Sequence, residues 1–536
     1  MAEQLTSAPL TSAARAGPAG AGAPAPILRA LAECGPAQFP TLAGQMARLF
    51  CKALDADLAA GDNTDSLCHY FLPALDRLHF RAMQVPDCFI LHSEDASHHV
   101  VDSALRKSLS SGTDIPLLLC SCEEKAREVS TKIPKGRAVI LPPEVFARII
   151  ESSGTDALAA LREAILAQIH PLRVQPYDTT RPATGNMFFG RELEMKLLLY
   201  SETQSFIITG PSKIGKTSLV MQFIWTLRRL RDPRLATTHY ITFQPCERMG
   251  PDDIARYFAR HFRDNHYTRV GLRFDDLRNF VGTLRAATSG PLTLILDEAD
   301  AVCHTSLLTL LADFAREGVL RLIVLGRGAM RRHWLQNRAS GFSRFRELRP
   351  AGLIPGVAAS LVCDVLGELG YAIENREAFC AELLRMTASQ PFHLQHCARG
   401  VLELAIAEET TTITVDMLHR TTDSFVDLGR LRSHLNDLHT PQARLAAACL
   451  LQSGDLQHFS IDSVRTLLRE RGLSHDTNSA IAICEDLVIN HLLGWDEHGF
   501  SAPPWDMCEI ARKHPQIMRN FRDEYLEASR CHLNAR

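Results

Sequence analysis

No apolar run in this 536-residue chain reaches the roughly 18 uninterrupted residues that a bilayer span needs, so a membrane-spanning role is not expected. The chain also lacks a charge excess. Its 58 Lys and Arg against 61 Asp and Glu leave a net charge of −3, which gives no global electrostatic reason to hold nucleic acid, although a local basic patch can hide within such a balance. Metal-binding cysteine spacing is missing too. The 15 cysteines are scattered, and Cys120 and Cys122, the nearest pair, do not form CxxC; they read as reduced packing residues. No repeat recurs at roughly 20 to 50 residues, which excludes a solenoid or propeller. Residues 1–26, rich in Ala, Pro and Gly, lack a basic stretch followed by an apolar one. They read as a disordered tail, not as a secretory signal, and a cytoplasmic location is expected.

What is present is enough apolar residue for about three hydrophobic cores, at 46% hydrophobic and 22% charged composition. Residues 27 to about 86 carry apolar residues at helical spacing, including Leu42, Met46, Leu49 and Phe50 and then Phe71, Leu72, Leu75 and Leu78. Short apolar runs follow at 88–91, 115–120 and 138–141, alternating with amphipathic stretches, so 27–175 reads as a helical segment with a small Rossmann-like α/β domain suited to sensing or interaction. The turn formers of 176–182 suggest a linker.

The strongest chemical pattern follows a buried strand at Ser205–Thr209 and opens an amphipathic helix. Gly210-Pro211-Ser212-Lys213-Ile214-Gly215-Lys216-Thr217 has GxxxxGK[ST] spacing between those two elements, the context a phosphate-binding P-loop requires. Gly210 and Gly215 allow the backbone to curl with its N–H groups inward, and the helix N-terminus adds positive potential there, with Ser218 in its first turn. Lys216 supplies a point charge for β- and γ-phosphates, and the Thr217 hydroxyl is a ligand for Mg²⁺. These residues imply ATP and Mg²⁺ as cofactors.

A second apolar run, Leu292–Leu296, ends in Asp297 and Glu298. Asp297 suits the Mg²⁺ shell through water, and Glu298 suits polarisation of an attacking water. Asp300 reads as a cap on the next helix.

Together these residues resemble the STAND and AAA+ branch of P-loop ATPases, especially the group of archaeal ATPases and origin-recognition initiators, over about residues 176–505. Phe188-Phe189-Gly190-Arg191-Glu192 resembles the FxGRE segment of that group, which implies that Phe189 and Arg191 lie near the adenine. Leu320–Arg327 reads as another core strand. The resemblance implies that Arg327 at its end faces the γ-phosphate, whereas composition alone reads it as a solvated strand-end arginine. Arg344 and Arg346, just before an expected fifth strand, fall where ring-forming relatives carry a finger for a neighbour's nucleotide; surface arginine is the competing reading. Ser389-Gln390-Pro391-Phe392 resembles a glycine-proline motif of the helical lid, without its glycine, and implies that Pro391 packs near the base. Helices expected at about 440–453, 461–471 and 476–490, followed by the apolar stretch His491–Phe500, resemble a winged helix. From Ser474 to Asn490 there is no Lys or Arg, while Asp476, Glu485 and Asp486 are acidic, so phosphate repulsion favours a structural or interdomain role.

The expected fold class is therefore α/β. It comprises a P-loop NTPase core with a parallel sheet (176–354), a helical lid (355–435) and a C-terminal winged helix with a closing helix (436–536), preceded by the Rossmann-like domain. The expected function is an ATP-binding, slowly ATP-hydrolysing regulatory switch of STAND/AAA+ type, in bacterial signalling or antiphage defence. Two other classes stay open: a DNA-associated AAA+ assembly or loading ATPase, and a nucleotide-binding scaffold with little hydrolysis. The resemblance implies a protein partner, or self-association through the N-terminal or winged-helix domain, and leaves nucleic acid undecided.

Overall fold

The computed structural model describes residues 24–534, apart from 55–58, 64–66, 72–86, 92–100, 107–114, 263–274, 287–291, 338–340, 422–430, 454–459, 502–507 and shorter gaps. Residues 1–23 of the expected tail lie outside the described residues. The tail's last three residues do not belong to it, because a helix already starts at Pro24, where proline's fixed φ suits a first turn. The chain divides into two compact units at Gln175 and Pro176.

In the first unit, helices Pro24–Glu33 and Phe39–Ala53 precede a five-stranded sheet. Its strands β1 (Ala59–Asn63), β2 (Leu67–Phe71), β3 (Asp87–Leu91), β4 (Leu117–Cys120) and β5 (Val139–Leu141) lie in sequence order. The first three pair antiparallel and the last three parallel. The two helices bear out the first part of the helical reading of 27–86, and the strands correct it from residue 59 on. Leu67-Cys68-His69-Tyr70-Phe71 pairs along its whole length with β3, and an aromatic-rich segment gains more on a half-buried pleated surface than its local spacing offers a helix. Leu72, Leu75 and Leu78 lie outside the described residues. The β5 edge is closed by a side chain: the Gln168 amide accepts from Ile140 N at 2.9 Å and donates to Ile140 O at 2.8 Å, where another strand would otherwise pair.

The second unit holds the parallel sheet that positions the site. Strands β6 (Phe206–Thr209), β7 (Thr238–Thr242), β8 (Leu292–Asp297), β9 (Leu320–Gly326) and β10 (Arg346–Leu348) are arranged β10-β6-β9-β8-β7, all parallel. With helices on both faces, β6, β8 and β9 are buried along their whole length, which is why they read as unbroken apolar runs. Ile207, Leu294, Leu296, Leu322 and Val324 pack into one core, and Phe206, Ile208, Ile295, Ile323 and Leu325 into the other, following the period-two alternation of a strand. Arg321 is the charged exception within β9. It is 3% exposed and donates to Leu198 O at 2.7 Å and Gln204 O at 3.1 Å, and burial lowers its pKa to about 10. Parallel strands place their carboxyl ends along one edge, so the turns after β6, β8 and β9 converge there.

Arg346 is the first residue of β10 and does not precede it. Beyond the sheet, 355–368 is helical with a π-helical turn at Ser360–Asp364, followed by helices Arg376–Thr387, Pro391–Ala407 and Val415–Thr421. Helices Pro441–Ser453, Ile461–Glu470 and Thr477–Ile489 share a separate core with Pro515–Asn534, and an antiparallel pair, Gly494–Asp496 with Gly499–Ser501, follows the third of them. Among the described residues no helix is long and apolar enough to cross a membrane.

Candidate functional site

The P-loop lies between β6 and helix Lys216–Arg229. Gly215 has φ 98° and Lys213 φ 66°, so the left-handed turns fall at these residues. Gly210, expected to supply one of them, does not take a positive φ. A Cβ built on Gly215 would meet open space, so its backbone conformation and not crowding calls for glycine. The Lys216 side chain is buried, and its Nζ donates to Gly210 O at 2.9 Å and Pro211 O at 2.8 Å. Burial lowers its pKa, opposed by the charges of Glu298, Asp300 and Asp297. A buried ammonium beside a helix N-terminus fits an anionic ligand that brings its own charge.

Asp297, at the end of β8, is 3% exposed and fully engaged. Its Oδ2 accepts from Thr217 Oγ1 and from the Tyr240 hydroxyl, both at 2.7 Å, and its Oδ1 accepts from Glu298 N at 2.8 Å. Tyr240 was not legible in the sequence. It stands opposite Ile295 on β7, and Asp297 is two residues further along β8 on the same face, so only the strand register brings the hydroxyl to the carboxylate. Glu298 takes a left-handed φ of 53°, a strained conformation of the kind stored at functional sites. Burial first, and then Asp297, push its carboxyl above the usual range, against the pull of Arg327 and Lys216.

Asp300 does not cap the helix that follows it. Its carboxylate accepts from Arg327 N at 2.6 Å and Met330 N at 2.8 Å, so it caps helix Gly328–Gln336 beyond β9. The two turns approach closely at Gly326, where a Cβ would lie 2.3 Å from Met330 Cβ and 2.9 Å from Asp300 Oδ2. One residue into the same helix turn, Arg331 Nε bonds Glu347 at 2.8 Å, and the same carboxylate oxygen accepts from Thr209 Oγ1 at 2.9 Å, joining the end of β6 to the helix that carries Arg327's turn.

Two cavities meet at Glu298 and Gln244. The larger, about 490 Å³, is lined by Ser212 to Ser218, by Phe189 and Arg191, and by Pro391 and Phe392. It therefore unites the sequence-selected residues Ser212, Lys213, Ile214, Gly215, Lys216, Thr217, Ser218, Phe189, Arg191, Pro391 and Glu298, while Gly210 and Pro211 are buried behind it and hold Lys216. Residues 178–182 of the linker expected at 176–182, with Ala183 after them, form part of its wall. The smaller cavity, about 360 Å³, joins Glu298 and Arg327 to Asn436, Leu438 and Arg444 of the C-terminal region. Its volume and that of its neighbour are in the range of small-molecule sites.

Arg191 lines this cavity with its guanidinium already engaged. Its guanidinium bonds Ala351 O and pairs with Glu194, while Gly190 and Arg191 are both left-handed, at φ 69° and 68°. Pro391 opens its helix, and Lys213 Nζ sits 3.8 Å above the ring of the neighbouring Phe392, tying the P-loop tip to that helix. At the position of the missing glycine, Ser389 adopts φ 57° and its carbonyl accepts from Leu353 N at 2.8 Å. Arg344 and Arg346 are exposed and line another cavity, with Arg331 and Trp334, so the structure does not bring them to the P-loop of their own chain.

A parallel sheet of this order with a P-loop at the end of one strand and an acidic end on another forms a P-loop NTPase-like core. Residues 199–333, from the helix before the P-loop to the helix after β9, match the family model described as an AAA domain. A Walker-type ATPase of Pyrococcus abyssi is similar in structure, 16% identical with a TM-score of 0.46 over 63% of this chain and 99% of that one. The ORC2 protein of Aeropyrum pernix, in its ADPNP–ADP complexes, is 14% identical with a TM-score of 0.45 over 66% of this chain and 98% of that one. The RuvB Holliday junction branch migration motor of Thermotoga maritima is 14% identical with a TM-score of 0.32 over 63% and 99%. No curated protein sequence matches the chain at a significant level.

Proposed function

We propose that the chain binds ATP with Mg²⁺ at this site, hydrolyses it slowly, and uses the nucleotide state as a switch read by its own C-terminal helices. The observation that carries this reading is the cavity shared by Glu298, Arg327, Asn436, Leu438 and Arg444, because groups suited to hydrolysis open onto the same space as the C-terminal region.

Mg²⁺ would be held by Thr217 and, through water, by Asp297, and would supply charge neutralisation at the phosphate oxygens. Lys216 then exchanges two neutral carbonyl partners for phosphate oxygens, a charge-assisted and stronger pairing. Glu298 orients water and accepts its proton; a carboxyl lifted by burial is better matched to that task near neutral pH than an ordinary one. Arg327 pairs with the γ-phosphate and loses that partner when phosphate leaves. Its backbone is fixed by Asp300 to the start of helix Gly328–Gln336, so a change at Arg327 reaches Arg332, which pairs at 2.9 Å with the buried Asp486 of helix Thr477–Ile489.

We read 355–435 as the lid and 436–536 as a winged helix with a closing helix, used inside the molecule, since Asp486 of its third helix pairs with Arg332. The first unit we read as a Rossmann-like sensing or interaction module, through which a protein partner or a second copy would bind. A bacterial signalling or antiphage-defence setting rests on the STAND resemblance alone. Sizing the full chain with ADP, with ATP and with ATP plus duplex DNA tests the switch: an ATP-dependent change in assembly or shape supports it, and one that requires DNA moves the reading to a DNA-associated ATPase. Equal ATP turnover in wild type and Glu298→Gln would remove the hydrolytic role of Glu298.

A further inference from the structure

Segment 176–184 has no regular secondary structure, yet it is fastened at both ends. At one end the Tyr177 side chain is fully buried, and its hydroxyl donates to Val362 O at 3.1 Å in the π-helical turn Ser360–Asp364. At the other end, Ala183 N donates to Ser218 Oγ at 3.0 Å and Gly185 N to Gln222 Oε1 at 2.7 Å. Ser218, Gln222 and Trp225 are spaced i, i+4 and i+7, so they form one stripe along helix Lys216–Arg229. Trp225 completes the clasp: a Cβ on Gly185, whose φ is 60°, would lie 3.5 Å from its ring. Between the anchors, Asp178 to Ala183 line the 490 Å³ cavity.

The division of labour in that cavity is chemical. The P-loop offers N–H groups, an ammonium and a hydroxyl, which suit phosphates, and this leaves the strap formed by 176–189, together with Leu353, Leu361, Pro391 and Phe392, to wall the nucleoside end. Gln222 does not line the cavity and acts only through the strap. We infer that Gln222 is a positioning residue for the base and ribose of the bound nucleotide, with Tyr177 as the second anchor of the same strap. The inference rests on the reading of this site as an ATP site. It makes the P-loop helix serve twice, its N-terminus for the phosphates and its outer stripe for the wall that confines the nucleoside.

The test compares Mg·ATP with Mg·tripolyphosphate, which has the phosphates and no nucleoside, by calorimetry on the full chain. Losing the Gly185 to Gln222 hydrogen bond in Gln222→Ala should raise the ATP dissociation constant about five- to tenfold and leave that of tripolyphosphate within about twofold. Gln222→Glu keeps an acceptor oxygen and should restore ATP affinity to within about twofold of wild type. Tyr177→Phe should weaken ATP selectively in the same way. Parallel loss of both ligands in Gln222→Ala would mean damage to the P-loop helix itself and overturns the inference, as does unchanged ATP affinity in that variant. Wild-type protein that binds tripolyphosphate and ATP equally well also overturns it. Wild-type protein that binds neither overturns the ATP reading first, and this inference with it.

Discussion

The Thr217 hydroxyl donates to Asp297 Oδ2 at 2.7 Å across 80 residues of sequence, and the Tyr240 hydroxyl donates to the same oxygen at the same distance. One carboxylate oxygen thus joins the P-loop helix, β8 and the edge strand β7. Thr217 is the donor that a cation would displace, whereas Tyr240, packed against the core below the P-loop helix, keeps the carboxylate oriented when Thr217 turns away.

Tyr240→Phe should therefore raise the Mg²⁺ concentration that gives half-maximal ATP turnover by about three- to tenfold, the equivalent of one neutral hydrogen bond. Maximal turnover at saturating Mg²⁺ should change by less than about twofold. A fall in the maximum with no shift in Mg²⁺ dependence would contradict the positioning role.

Lys216→Ala and Glu298→Gln should separate binding from chemistry. The first removes the only ammonium buried beside the P-loop carbonyls among the described residues, and should weaken ATP binding by tenfold or more. The second keeps the shape of the side chain and should leave the ATP dissociation constant within about threefold while lowering turnover by about a hundredfold. Nucleotide titration followed by a phosphate-release assay reads both effects.

Ser389→Gly should stabilise the protein by up to about 1 kcal/mol, because a serine at φ 57° bears the left-handed penalty that glycine escapes, offset by the greater freedom of glycine in the unfolded chain. Thermal melting of the two proteins should show a rise of about a degree or two. A lower midpoint would show that the serine side chain contributes more than its backbone costs.

Arg332→Ala removes the 2.9 Å ion pair to Asp486, a carboxylate only 7% exposed, and should cost about 1 to 3 kcal/mol in urea unfolding. Asp486→Ala should cost less, since Arg332 is the more exposed of the two. Non-additivity of about 1 kcal/mol or more is expected in the double variant, and strictly additive effects would dissolve the proposed link between the arginine-bearing helix and the C-terminal region.

How much was legible differs by residue, for physical reasons. The P-loop and the acidic strand end could be read because their chemistry is local: glycine, lysine and threonine must follow one another at fixed spacing, and a strand buried on both faces leaves an unbroken apolar run ending in a carboxylate. The helices near 441–489 were legible from their spacing, and the structure finds them at 441–453, 461–470 and 477–489. The strand at Leu67–Phe71 was misread as helix because its preference is settled by the partner strand β3. The turn formers of 176–182 read as a linker because a strap held by side chains from elsewhere carries no periodicity of its own.

The sequence by itself determined where phosphate chemistry can occur, since the backbone conformation, the helix start and the charged side chains of that site all fall within one short segment. Only the tertiary structure decided what surrounds it. Parallel pairing put Tyr240 on Asp297, the crowding at Gly326 brought the Asp300 carboxylate onto the Arg327 turn, and the outer stripe of the P-loop helix drew in the strap. Each of these contacts joins residues far apart in the chain, and a hydrogen bond between distant groups leaves no mark on either local sequence until the fold brings donor and acceptor within reach.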